Sequence, residues 1–136
     1  MWDDKESSKP IEVCMNYSVG LNIKEVVGKG RGVFATQRLE IGRIVEIAPT
    51  VVLSPEDTLQ VLKTKLKTYV YVDVDDRAVI ALGYASLYNH SNTPNCAFVL
   101  DDSTIVMVAR KVIEVGEELT IDYEWDNQML TAENIK

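Results

Sequence analysis

The residues able to do chemistry gather in three short blocks. The first is Gly28-Lys29-Gly30-Arg31-Gly32-Val33-Phe34-Ala35. Glycines this closely spaced permit positive φ and let a ligand approach the backbone. No Gly-Lys-Ser/Thr follows at phosphate-loop spacing, and a strand rather than a helix comes next, which removes the dinucleotide fingerprint. Alone, the block reads as a tight turn between two strands. The second block, Asn89-His90-Ser91-Asn92-Thr93-Pro94-Asn95-Cys96, holds the chain's one histidine. No Ser/His/Asp arrangement or adjacent thiolate supports nucleophilic catalysis. Alone, it reads as a polar loop with a hydrogen-bonded histidine. The third block, Gly116-Glu117-Glu118-Leu119-Thr120-Ile121-Asp122-Tyr123, is a turn feeding a short strand that ends in tyrosine.

Metal chemistry finds little support. Cys14, Cys96 and His90 are the only cysteines and histidine, and a structural zinc site needs four such ligands. The chain is therefore read as holding no metal, and both cysteines as small buried hydrophobes. The net charge of −7, from 21 acidic and 14 basic residues, disfavours direct binding to a phosphate backbone. The same field attracts a cationic partner such as a lysine-rich tail, although it also serves plain solubility.

The elements that must position these blocks are mostly strands. A chain of 136 residues with 46% hydrophobic and 26% charged residues makes one globular domain. No apolar run approaches a membrane span, and residues 1–10 lack the apolar core of a secretion signal, so an intracellular protein is expected. Residues 1–10 read as a flexible leader, 11–125 as the domain and 126–136 as a tail. Runs rich in Val, Ile, Thr and Tyr predict strands over 11–16, 21–27, 32–36, 44–48, 50–53, 69–74, 78–82, 97–100, 104–110 and 118–121. Asp101-Asp102-Ser103 reads as a hairpin turn. Ser54-Pro55-Glu56-Asp57 is a helix start, and Leu59, Leu62 and Leu66 recur at helical spacing. They predict a helix over 55–67 packed on the sheets by its leucine face. A further helical turn is expected around 84–88. The fold class is mainly β with few short helices.

In this order and at these separations the three blocks resemble the SET domain, a family of protein lysine methyltransferases. The likeness runs from about residue 21 to residue 125 and includes Ile41-Gly42-Arg43-Ile44-Val45-Glu46. It is nearest to the short viral and bacterial type without flanking zinc domains. The resemblance implies small curved β-sheets and a C-terminal pseudoknot, in which the last stretch threads through an earlier loop. That threading would bring Asn89-His90 against Tyr123.

The resemblance also implies roles. The Lys29, Gly30 and Arg31 backbone and Asn89 would hold the methionine portion of S-adenosyl-L-methionine. Main-chain groups at His90 would meet the adenine, its ring would lock the threaded segment, and Trp125 would cover the adenine. Tyr123 matches the catalytic tyrosine at the methyl-transfer pore. Tyr69 or Tyr71 would line the lysine channel. Phe98 stands where the family often has an aromatic that sets product state, which implies di- or trimethyllysine; the other reading makes it a core residue of its strand. The implied partner is a protein substrate with a basic, lysine-containing segment, histone tails being the family's best-known class. Neither nucleic acid nor membrane is implied. With no cysteine after Cys96, the family's cysteine-rich closing segment is missing, so residues 126–136 or a second subunit would close the channel. The short viral relatives favour a homodimer. Two alternatives stand: a catalytically silent SET-like module that binds cofactor or peptide, and an unrelated β-rich scaffold.

Overall fold

The computed structural model describes residues 15–28, 30–101 and 103–123. The predicted leader, Cys14, Lys29, Trp125 and the tail lie outside the described residues. Among the described residues ten strands form two sheets. β1 (Tyr17–Ser18), β4 (Ile44–Val52), β5 (Tyr71–Val72), β6 (Ala78–Ala81), β8 (Cys96–Leu100) and β9 (Thr104–Ala109) make the larger one. Its order is β5-β6-β4-β9-β8, with β1 also paired to β4. The smaller sheet runs β2 (Leu21–Val26), β3 (Gly30–Ala35), β10 (Glu118–Ile121), β7 (Asn89–His90).

The smaller sheet assembles all three blocks. β2 and β3 form an antiparallel hairpin whose turn holds Gly28 and Gly30 at φ of 85° and 81°, angles that a side chain would strain. β10 pairs antiparallel with β3 and parallel with β7, setting Thr120 opposite Asn89 and Ile121 opposite His90. The period of two along β10 explains its position. Leu119 and Ile121 are buried in the core beside Val33, Leu39 and Ile113, each burial worth roughly 1.5–3 kcal/mol. Glu118 and Thr120 alternate with them and present their groups to β7 and to Asn95. The Asn95 side chain extends the pairing: its Oδ1 accepts from the Thr120 N–H at 2.8 Å and its Nδ2 donates to the Glu118 carbonyl at 2.8 Å.

Several elements differ from their predicted form. The predicted strands 44–48 and 50–53 are one strand, β4, running through Pro49. Its partner β6 takes up at Thr50 where the Ile44–Pro49 pairing with β9 stops, so one strand serves two neighbours. The strand predicted from residue 11 does not include Met15 or Asn16. The helix starts as expected, with Ser54 Oγ accepting from the Asp57 N–H at 3.0 Å, but α1 ends at Val61 (Pro55–Val61). Thr64 then caps a separate 3-10 turn, Lys65–Thr68, by accepting from the Leu66 N–H. The leucine face is not packed: Leu59, Leu62 and Leu66 are 63%, 41% and 50% exposed. The helix docks instead through buried Thr58, whose Oγ1 accepts from the Ala78 N–H at 2.9 Å. The hairpin turn before β9 is set by Asp101, whose carboxylate accepts from the Ser103 and Thr104 N–H groups. No helix among the described residues is long and apolar enough to cross a membrane.

Candidate active site

Where β3 begins, β7 runs and β10 ends, a cleft of about 300 Å³ opens. Glu25, Gly30, Arg31, Tyr69, Tyr88, Asn89 and Tyr123 are among the residues lining it. The cleft thus draws on all three blocks, and an added Cβ at Gly30 would meet nothing within 4 Å.

Asn89 is held from two sides. Its Nδ2 donates to the Arg31 carbonyl at 3.0 Å and to Glu118 Oε2 at 2.6 Å. Both amide hydrogens are thereby used, which leaves Oδ1 to receive a donor. The Glu118 carboxylate reaches Asn89 across Gly32, where an added Cβ would collide with it. This is why the block needs its third glycine: the position must leave room rather than adopt positive φ.

Tyr123 and His90 are locked together. The Tyr123 backbone N–H donates to His90 Nδ1 at 3.0 Å, and the rings lie 5.1 Å apart. Accepting that bond requires a lone pair on Nδ1, so the imidazole carries its proton on Nε2, which faces Asn92 Oδ1 at 3.1 Å. Asp122 Oδ1 lies 3.8 Å from the same Nδ1. The Tyr123 hydroxyl donates to the Tyr88 carbonyl at 2.6 Å. Burial, with Glu118 and Tyr69 adding to it, pushes the Tyr123 phenol above its ordinary range, so it remains a protonated donor at neutral pH.

The structure separates the two candidate channel tyrosines. Tyr69, at the end of the 3-10 turn and outside any strand, lines the cleft. Tyr71 lies on β5 and packs inward, its hydroxyl donating to the Ala85 carbonyl at 2.7 Å. Its ring meets Phe98 edge-on at a centroid distance of 5.1 Å. Phe98 is a buried residue of β8 in the core, behind Tyr71 and not among the residues lining the cleft. Burial pushes the Tyr71 phenol far above its ordinary range, and Tyr123, Glu46 and Cys96 add to the effect.

Sequence reasoning missed three groups here. Glu118 orients Asn89, the Tyr88 carbonyl receives the Tyr123 hydroxyl, and Glu46 lies buried beneath both. Only Glu46 carried a signal, as the one acid in the apolar run Ile44-Val45-Glu46-Ile47-Ala48. Cys96 is a buried core residue and burial pushes its thiol up, which fits a packing role. Among the described residues no group of three or more His, Cys, Asp or Glu side chains could hold a metal ion.

The donor set suits a cationic, amino-acid-like group. Asn89 Oδ1, the nearby Glu25 and Glu118 carboxylates and the tyrosine faces favour an alkylammonium or sulfonium, while the backbone at Gly30 and Arg31 can meet either sign of charge.

Comparison with known proteins bears on the same residues. The family model of the SET domain matches residues 30–124. A Schizosaccharomyces pombe protein, the histone-lysine N-methyltransferase specific for H3 lysine-37, is 34% identical over 106 residues, covering 76% of this chain and 72% of that protein. A crystal structure of a Plasmodium falciparum protein, provisionally assigned as a histone methyltransferase, superposes with a TM-score of 0.64 at 26% identity, covering 79% of this chain and 95% of that one. The chain belongs to the SET-domain family of protein-lysine methyltransferases.

Proposed function

We propose that this protein transfers a methyl group from S-adenosyl-L-methionine to the side-chain amine of a lysine in a protein substrate, with Tyr123 as the catalytic residue. One observation carries the reading: the Tyr123 hydroxyl is pinned at the cleft that Gly30, Arg31 and Asn89 also line. Bound there, S-adenosyl-L-methionine supplies a sulfonium methyl as the electrophile. Asn89 Oδ1 and the Gly30–Arg31 backbone would hold its methionine portion, their oxygens accepting from its ammonium group.

Tyr123 acts through its lone pairs. Because its own proton is committed to the Tyr88 carbonyl, the phenolic oxygen can accept an N–H of the incoming amine. That bond turns the amine's lone pair away from the tyrosine and towards the electrophile. Alignment of this kind supplies several kcal/mol of barrier lowering, up to about 7–11 in the best cases. The amine must arrive neutral. Removing a proton of pKa about 10.4 at pH 7 costs roughly 4–5 kcal/mol, which a desolvated channel beside a positive sulfonium reduces. Tyr69 provides an aromatic wall of the cleft for the aliphatic end of the lysine.

The net charge of −7 favours a basic, lysine-containing segment as substrate, and a histone tail has that character. Labelled-methyl transfer to a lysine peptide array, read by mass spectrometry, tests the reading. Label on the lysine amine of basic peptides is expected; S-adenosylmethionine binding with no transfer to any lysine would overturn it.

A further inference from the structure

Beneath the cleft lies a buried carboxylate that methyl transfer, as derived above, does not use. Glu46 is 2% exposed. Glu46 shares the inner face of β4 with Ala48 two residues on. Just before it β4 bulges: Ile44 pairs with Val108 and Glu46 with Met107, so Val45 is the extra residue and is buried beside it. Each Glu46 oxygen meets one neutral donor. Oε2 accepts from the Tyr84 N–H at 2.7 Å, and Oε1 accepts from the Tyr88 hydroxyl at 2.9 Å. Gly83, at φ 71°, lets the chain pass close above it, since an added Cβ would lie 2.6 Å from Oε2.

Glu46 therefore grips both ends of residues 84–88, the segment built around the 3-10 turn Ala85–Leu87. The same segment carries the Tyr88 carbonyl that receives the Tyr123 hydroxyl, and the Ala85 carbonyl that receives Tyr71. It then runs directly into Asn89. A buried carboxylate held only by neutral donors is expensive, and an apolar side chain of similar size would pack the site more cheaply. Such groups concentrate where a function maintains them.

We infer that Glu46 is a positioning residue for methyl transfer, acting through Tyr88 to fix the carbonyl that orients the Tyr123 hydroxyl. This rests on the proposed role of Tyr123 and extends it to a residue that never touches substrate. Glu46→Gln keeps the shape but offers one acceptor and one donor, so it cannot accept from both Tyr84 and Tyr88. Tyr88→Phe removes the same link from the other side and leaves the carboxylate in place.

The experiment measures kcat and KM on the peptide methylated in the array, S-adenosylhomocysteine affinity, thermal stability, and the carbon-13 Cζ resonance of Tyr123. In Glu46→Gln, kcat is expected to fall at least about tenfold, with KM and S-adenosylhomocysteine affinity within about threefold of wild type. Tyr88→Phe should reproduce that split, and the double variant should be no worse than the poorer single, because the two act on one link. The Tyr123 resonance should move in both variants. Wild-type kcat in a folded Glu46→Gln, an unmoved Tyr123 resonance, or parallel loss of stability, affinity and kcat would each overturn the assignment. If Glu46→Gln does not fold, Tyr88→Phe decides alone by the same readouts. If the wild type transfers no methyl, the proposed function fails while the Tyr123 resonance still decides whether Glu46 holds that tyrosine.

Discussion

The hydroxyl of Tyr123 lies 2.6 Å from the carbonyl oxygen of Tyr88, a residue 35 positions earlier. The bond links the end of the third block to the residue preceding Asn89, so the groups proposed to meet the amine and those proposed to meet its electrophile are fixed to one another. Parallel pairing of β7 with β10 makes this possible, and the bond from the Tyr123 backbone N–H to the His90 ring continues it past Ile121.

Replacing Tyr123 by phenylalanine removes both the bond to Tyr88 and the oxygen proposed to accept the amine. Turnover is expected to fall about 100-fold or more, with cofactor affinity within a few-fold, because the hydroxyl meets the Tyr88 carbonyl and, on the proposed mechanism, the amine rather than the cofactor. Single-turnover kinetics beside calorimetry check it. Near-wild-type turnover would remove Tyr123 from the mechanism.

Asn89→Ala takes away the amide held by Arg31 and Glu118. A hydrogen bond to a charged group is worth about 1.5–3 kcal/mol, so S-adenosylmethionine affinity should fall by roughly 10- to 150-fold. Calorimetry on the folded variant measures this. Unchanged affinity would sink the assignment.

Phe98 has no hydroxyl with which to hold a water, and its ring backs Tyr71. If Phe98 acts on the cleft from its place behind Tyr71, a methylated amine keeps room to turn for another transfer. Wild type is expected to reach di- or trimethyllysine, and Phe98→Tyr to shift the product toward monomethyllysine with the first transfer little changed. If the residue serves packing alone, the added buried hydroxyl lowers stability and all transfer steps together. Time-resolved mass spectrometry of one peptide separates the two outcomes.

Glu46 should leave a mark on stability against pH. Burial pushes its carboxyl up to about 7, while the bonds from Tyr84 and Tyr88 pull the other way. Between its ordinary value of 4.5 and about 7 the folded protein holds a proton that the unfolded chain has lost. Stability therefore falls as pH rises through that window and levels off above it, by roughly 3 kcal/mol in all. The phenols that interact with it, Tyr71 and Tyr88, are both pushed up and stay neutral there. Glu46→Gln should flatten this slope. Urea unfolding at pH 5 and pH 8 gives the comparison, and an equal slope in the variant would refute the attribution.

Activity should survive chelation. The chain's one histidine spends Nδ1 on the Tyr123 N–H, and Cys96 is buried. Stoichiometric zinc in purified active protein, or loss of turnover with a chelator, would contradict this.

What the sequence determined by itself was local. Closely spaced glycines, the Ser54-Pro55 helix start, the Asp101 turn and the alternation over β10 all express preferences set within a few residues, and each appears where the pattern puts it. The three blocks were legible as a family signature although none stood for a site alone. Tertiary structure decided the rest. The fate of Leu59, Leu62 and Leu66 turned on Thr58 docking the helix and Thr64 ending it, contacts that no periodicity encodes. Tyr69 and Tyr71 are nearly alike in sequence, yet one reaches the cleft and the other the core, because β5 begins only at Tyr71. Glu46 showed in the sequence only as an acid within an apolar run; that it meets Tyr84 and Tyr88 was decided by the fold. The extra residue Val45 opposite β9 lets two neighbouring side chains be buried together, and such a shift in register exists only once the partner strand is in place.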